Sequence, residues 1–235
     1  MPKLSLVIPC FNEAENLELL LTRLDSAFRD ADIEVILVDN GSNDNTQDLM
    51  SLLLPKYPFI KGCTVKVNCG YGYGILCGLS VATGSTLGWT HADLQTDPAD
   101  VLTAYNLLLP FNGESVIVKG SRHRRGFIKH LLTLGMQCLA SAILGVKLSD
   151  INAQPKVFSR GLYDEYFRNN APKDFSLDLF LLYLGSLRGV KLLTIPVYFN
   201  ERLKGEAKGG GANLVTRLKL IYATFLYIFK LKKLQ

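Results

Sequence analysis

The sequence predicts an α/β protein built on a mostly parallel sheet with helices on both faces. Three observations carry that expectation. Short apolar runs alternate with segments of helical periodicity through the first half, the order a parallel sheet with crossover helices requires. Two of the runs stop at an aspartate, Asp39 and Asp93, and the carboxyl ends of strands in an open α/β sheet face the ligand crevice. The 235 residues are 48% hydrophobic and 20% charged, which suits one globular domain with a sizeable core and excludes a disordered chain.

The elements follow in order. Residues 4–8 read as a buried strand ended by Pro9. Leu17, Leu20, Leu21 and Leu24 recur at helical spacing as far as Phe28, with Asn12 as the N-cap. A strand at 33–38 precedes a helix that Asn43 or Asp44 can cap, running through Leu54. Residues 60–67 give a third strand, 70–82 a helix and 85–91 a fourth strand. Another helix starts near Pro98, a residue suited to the first helical turn, and 114–119 is a fifth strand. The second half is less regular. It offers an apolar helical stretch at 128–146, an extended Val157-Phe158, helices near 160–169 and 175–185, and a strand at 191–195. A charged, Gly-rich loop at 201–211 leads into a basic apolar helix at 213–235. The expected division is a catalytic domain over 1–210 and an appended helix over 211–235.

Charge is unevenly spread. Residues 1–118 carry 6 Lys/Arg against 14 Asp/Glu, a balance of −8, and residues 119–235 carry 20 against 7, a balance of +13. A basic half points to an anionic partner, with a solvated charged face as the plain alternative. Nucleic acid is not expected, because the basic residues interleave with apolar helices and no RNA or DNA module is present. Five scattered cysteines without C-x-x-C spacing argue against a disulfide framework or structural zinc, and for a reducing compartment. The start, Met1-Pro2-Lys3-Leu4, lacks a signal-peptide layout.

Three local motifs carry chemistry. Asp39 to Asp44 joins a strand end to a helix start, so its carboxylate suits ribose hydroxyls or a base edge; an ordinary turn and cap is the alternative. Asn68 to Gly74 does not match G-x-G-x-x-G, yet Gly70 and Gly74 at a helix start can admit a ligand phosphate. Tight helix packing explains the same glycines equally well. In His91-Ala92-Asp93-Leu94-Gln95 an extended backbone would turn residues 91, 93 and 95 to one side, a set suited to Mg2+ or Mn2+. A solvent-exposed strand end is the alternative there.

Taken in order, Val7 to Glu13, Val38 to Ser42, Asn68 to Gly74, Ala92 to Gln95, Gly120-Ser121-Arg122, Asp150 to Lys156, and Pro196 to Arg202 with Gly205 to Lys208 resemble family 2 glycosyltransferases. The dolichol-phosphate mannose synthase-like, polyprenyl-phosphate branch is the nearest in pattern. That resemblance implies a GT-A (Rossmann-like) fold and an inverting transfer of a hexose from a nucleotide-diphosphate sugar. It implies Pro9, Asn12, Glu13 and Asp39 at the nucleoside, and Asp93 with Gln95 at a divalent metal and the diphosphate. It further implies Arg122 and Arg202, with Lys208, at the acceptor phosphate or donor diphosphate. This chain departs from the family's usual Asp-x-Asp by carrying His91 in place of the first aspartate.

A polyprenyl phosphate acceptor is already an anion and needs no general base. A sugar hydroxyl acceptor, the second enzymatic reading, needs one, and Asp150 or Asp178 is the candidate. A nucleotide-binding membrane scaffold without turnover is the non-enzymatic reading. The apolar run at 131–146 is too short to span a bilayer, as is 220–229 with its flanking Arg217, Lys219, Lys230, Lys232 and Lys233. The latter suits a helix lying in an anionic interface, which makes the expected enzyme peripheral on the cytoplasmic face of a membrane. Packing on the core or on a second copy in a homo-oligomer is the other use of that helix.

Overall fold

The computed structural model describes residues 2–111, 114–123, 127–167, 170–202, 204–205 and 214–233. Among them, seven strands form one sheet: β1 (Leu4–Cys10), β2 (Ile33–Asn40), β3 (Ile60–Val65), β4 (Thr86–Trp89), β5 (Val116–His123), β6 (Lys156–Ser159) and β7 (Lys191–Tyr198). Their order is β3-β2-β1-β4-β6-β5-β7. Every pairing is parallel except those of β6, which runs antiparallel between β4 and β5. The helices are α1 (Ala14–Phe28), α2 (Thr46–Leu53), α3 (Tyr71–Val81), α4 (Asp100–Leu108), α5 (Phe127–Leu144), α6 (Arg160–Leu162), α7 (Leu177–Leu187) and α8 (Leu214–Lys232). A π-helical turn, Tyr163–Phe167, continues α6.

The central strands read as unbroken apolar runs because both faces are covered. Alternate residues divide between two cores. Leu4, Leu6, Ile8, Val35 and Leu37 pack with Leu17, Leu20, Leu21 and Leu24 of α1. Val7, Ile36 and Val38 pack on the other face with Ile75 and Leu79 of α3, Trp89, Phe158 and most of α7. The mostly parallel sheet is as expected, and the antiparallel β6 is the feature that the βαβα order did not announce.

Several boundaries moved for physical reasons. Pro9 lies inside β1 instead of ending it. Val7 O accepts from Thr90 N, so Pro9, two residues on, directs its backbone to the same side, past Trp89, the last β4 residue paired with β1. Asn12 does not cap α1: Glu13 holds the cap position, and Asn12 adopts φ 55° with its side chain used elsewhere. β5 runs four residues beyond the expected end because its ladder with β7 continues through Arg122↔Val197 and His123↔Tyr198. Backbone pairing at that edge needs no apolar side chains, so the hydrophobic pattern gave no sign of it.

Among the described residues, no helix is long and apolar enough to cross a membrane. α8 packs against α5, burying Ile228 and Leu231 in the same core as Ala140 and Leu144. Its opposite face leaves Leu218, Tyr222, Leu226 and Phe229 exposed.

Candidate active site

The carboxyl ends of β1, β2 and β4 converge on one crevice, and cross-links between their loops fix its floor. Ser42 Oγ accepts from Asn12 N at 3.0 Å, Asn12 Oδ1 from Asn43 N at 2.8 Å, and Thr46 Oγ1 from Glu13 N at 2.9 Å. Asp39 is 1% exposed, and its Oδ1 accepts from Ser42 N at 3.1 Å. A cleft of about 470 Å3 opens beside it, lined also by Gln47, Met50, Tyr57 and Thr64.

Glu13 and Asp93 are joined by a residue from the far end of the chain. Arg202 Nη2 lies 2.6 Å from Glu13 Oε2, and its Nη1 lies 3.6 Å from Asp93 Oδ2. The guanidinium is oriented by its Nε, which donates to Lys204 O at 2.7 Å. The loop after β4 docks on the same segment. Asn200 N donates to Gln95 O at 2.8 Å, and Gln95 Nε2 donates to Asn200 O at 3.2 Å.

Asn12, Leu94 and Asp150 are the described non-glycine residues with left-handed φ, at 55°, 56° and 36°. All three lie among the residues the sequence marked for chemistry. Strained backbone of this kind persists only where the surroundings over-determine it.

The extended backbone expected to present His91, Asp93 and Gln95 together does not run through this segment. β4 ends at Trp89 and the chain reverses at Leu94, so strand alternation no longer applies. His91 Nε2 instead meets Tyr71 Oη at 3.2 Å, with its ring edge-on to Tyr71. Tyr71 stacks on Phe175 and accepts from Gln154 Nε2 at 3.2 Å. Among the described residues, no three His, Cys, Asp or Glu side chains form a ready-made metal site.

The glycines before and within α3 serve the protein's own packing, the alternative that stood beside ligand approach for Gly70 and Gly74. A Cβ at Gly70, which has φ 114°, would stand 2.4 Å from Lys173 O, and one at Gly74 would stand 2.8 Å from Asn40 Cγ. The helix start is thereby sealed by the 172–174 backbone, with Tyr73 N donating to Lys173 O at 2.8 Å.

On the other side of the crevice, Arg122 is clasped by Asp150. Asp150 Oδ2 accepts from Arg122 N at 2.7 Å, and Oδ1 accepts from Nε at 2.9 Å and from Nη2. The guanidinium lies 5.4 Å from the Phe199 ring centroid. Burial pushes the Asp150 carboxyl up, but the hydrogen bonds and charge of Arg122 outweigh that and hold it below its ordinary value. Asp150, one of the two candidate bases for a hydroxyl acceptor, is thus engaged by Arg122. Asp178, the other candidate base, is enclosed by its surroundings. It is 2% exposed, and its Oδ1 accepts from Trp89 Nε1 and Gln154 Nε2 and pairs with Lys156 Nζ at 3.2 Å. Lys208 lies outside the described residues.

Two fully buried lysines, Lys119 and Lys156, escaped the sequence reading as working residues. The available signal was a lysine abutting an apolar run in each case, after Val116-Ile117-Val118 and before Val157-Phe158.

Comparison with known proteins agrees with this architecture. A dolichol-phosphate mannosyltransferase of Pyrococcus furiosus is 28% identical over 227 residues, covering 94% of this chain and 63% of the relative. One from Mycosarcoma maydis is 25% identical over 242 residues, covering 97% and 81%. The chain thus spans under two thirds of the length of the first of these. A glucosyl-3-phosphoglycerate synthase from Mycobacterium tuberculosis, solved with Mn2+, UDP and glucosyl-3-phosphoglycerate, superposes with a TM-score of 0.72 at 19% identity. The match covers 97% of this chain and 80% of that one, and the shared fold is of the GT-A type. Residues 5–136 match the model of glycosyl transferase family 2, and the chain belongs to that family.

Proposed function

We propose that this chain transfers a hexose, with inversion, from a nucleotide-diphosphate sugar to a polyprenyl phosphate at a membrane surface. One observation carries the reading: Arg202 bridges Glu13 and Asp93 on the acidic side of the crevice, while Arg122 is held by Asp150 on the basic side. Asp39 and the adjoining cleft receive the nucleoside. Arg202, released from its long pairing with Asp93, is available to the diphosphate, and Arg122 to the phosphate of the acceptor.

A divalent cation fits the acidic side. Among the described residues, the contact given to Asp93 Oδ2 is the long one to Arg202, and Gln95, whose Nε2 is used by Asn200, offers Oε1 as a ligand atom. Mg2+ and Mn2+ sites shared with substrate phosphates need only one or two protein carboxylates. His91, engaged by Tyr71, is not part of that set. When bound, the ion supplies charge neutralisation on the departing diphosphate.

The two carboxylates that the sequence offered as bases for a sugar hydroxyl are both engaged, Asp150 by Arg122 and Asp178 by Lys156. A phosphate acceptor requires no such base, and this favours it over a hydroxyl. Names of the relatives support the same acceptor class, and the Mn2+ and nucleotide complexes of the structural neighbours support the donor and the metal.

Membrane attachment rests on α8. Its exposed Leu218, Tyr222, Leu226 and Phe229, together with Lys219, Lys230, Lys232 and Lys233, suit an anionic interface on the cytoplasmic side. The defining experiment is a donor screen against membrane lipid extract, with and without Mn2+ or Mg2+. The expected product is a sugar-lipid cleaved by mild acid, as a phosphate-linked sugar is. An acid-stable glycoside would replace the phosphate acceptor with a hydroxyl, and donor binding without consumption would remove the enzymatic reading.

A further inference from the structure

Lys119 and Lys156 sit behind Arg122 without a task in the reaction just described. They are register partners across the β5–β6 ladder, and both are 0% exposed. Two ammonium groups side by side in a core are costly unless their protons are used. Here most of them go to one short turn. Lys119 Nζ donates to Gly120 O at 3.1 Å and Asp150 O at 3.3 Å. Lys156 Nζ donates to Ile151 O at 2.9 Å and to Ala153 O, besides pairing with Asp178.

That turn is the one that carries Asp150, in its left-handed conformation. Gln137 Oε1 accepts from Asp150 N at 2.9 Å, so the turn is held from α5 as well. It lies directly on β5: a Cβ at Gly120 would stand 2.0 Å from Gln154 O. A short irregular segment has few backbone partners of its own, and the two lysines provide donors for three of its carbonyls.

We infer that Lys119, with Lys156 beside it, is a positioning residue: it pins the turn that presents Asp150 to Arg122, and so aims the guanidinium at an incoming phosphate. The inference rests on the phosphate-binding role of Arg122 proposed above. Chemistry near neutral pH adds to it. Burial, then the neighbouring Lys156 charge and that of Arg122, outweigh Asp150 and Asp178 and bring Lys119 down to about 7. As pH rises through that value Lys119 loses its charge, so affinity for an anion at Arg122 falls.

The test uses the full chain with Lys119→Met, Asp150→Asn and the double variant, with folding checked by circular dichroism. Hydrogen exchange of the Arg122 Nε–H, assigned by its loss in Arg122→Lys, reads the positioning without any acceptor. It is expected to be slow in the wild type and about tenfold faster in Lys119→Met, the scale of one charge-assisted hydrogen bond. With farnesyl phosphate as the acceptor probe, KM is expected to rise about tenfold while kcat and the donor KM stay within about twofold. The double variant should be no worse than Asp150→Asn alone, because both changes break one path. The wild-type fall in acceptor affinity across neutral pH should be absent from Lys119→Met. Unchanged Arg122 exchange in Lys119→Met, or additive effects in the double variant, would overturn the inference. Failure of the wild type to use farnesyl phosphate counts against the acceptor assignment, and the exchange measurement then decides the positioning by itself. If Lys119→Met does not fold, Lys119→Gln, which keeps one donor group, should give the same changes at smaller amplitude, and unaltered exchange there is equally fatal.

Discussion

The two sides of the crevice are built by different means. On the acidic side, Glu13, Asp39 and Asp93 stand at or just beyond the ends of adjacent parallel strands, where ordinary β-α geometry delivers them. On the basic side, Arg122 stands on a strand beside an antiparallel insertion, and its aim depends on a strained turn and buried lysines. A carboxylate at a strand end can receive a nucleotide and metal wherever the sheet places it. A guanidinium on a long flexible stem needs a partner to fix it before it can select one phosphate geometry. The contrast teaches that the acidic side is fixed by topology and the basic side by side-chain support.

The sharpest break in that comparison is Asp93→Ala. It is expected to lower kcat by on the order of 10²–10³, the loss typical of a principal electrostatic group. The circular dichroism spectrum should not change, since the Asp93 side chain is 15% exposed and its pairing with Arg202 is long. Near wild-type turnover with added Mn2+ would take the diphosphate away from Asp93. Arg122→Ala should act on the other side alone, raising the acceptor KM by about tenfold or more and leaving donor binding, read by calorimetry, within about twofold. Equal losses in both affinities would erase the division into two sides.

A third change addresses the seam between them. The 172–174 segment from the second half closes over the start of α3, and a Cβ at Gly72 would lie 2.6 Å from Pro172 O and 2.7 Å from Asp174 O. Backbone atoms cannot step aside as a flexible side chain can. Gly72→Ala is expected to destabilise the fold by about 2–3 kcal/mol, measured by urea unfolding. A loss below about 0.5 kcal/mol would mean that the seam is loose.

Much of the acidic side was legible in the sequence. The apolar runs gave the strands because both sheet faces are buried, and Asp39 and Asp93 marked their ends. The His91 to Gln95 reading assumed an extended backbone, whereas β4 ends at Trp89 and Leu94 has a left-handed φ. Gly70 and Gly74 left two readings open because a sequence does not say whether a ligand or another loop occupies the space a side chain would fill. The antiparallel β6 was hidden by its brevity, only four residues, Lys156–Ser159, in a run too short to show periodicity. Lys119 and Lys156 were passed over because lysines rank among the residues least often buried. Their work is against carbonyls far along the chain, and composition carries no trace of that.

The smallest expected effect tests whether the acidic side owes anything to charge away from the crevice. Glu34, on β2, is 4% exposed and accepts from Thr83 N at 2.6 Å, from Ser5 Oγ and Thr83 Oγ1, and from Lys61 Nζ at 2.7 Å. Burial pushes its carboxyl up, but the bonds from Lys61, Ser5 and Thr83 outweigh burial and bring it to about 2. Its folded value therefore lies below the unfolded one, near 4.5, so the unfolded chain binds more protons between them. The stabilisation is complete above about 4.5 and fades as pH falls toward about 2. Because Lys61 is 58% exposed, solvent screens that part of the interaction. Glu34→Gln should thus cost about 1–2 kcal/mol at pH 7, and the deficit should shrink as the solution is acidified. Turnover at pH 7 should stay within about twofold, since Glu34 lies at the opposite end of β2 from Asp39 and reaches no residue assigned to the reaction. A deficit that persists unchanged at pH 3, seen in parallel denaturation curves, would assign the loss to packing instead of to the carboxylate.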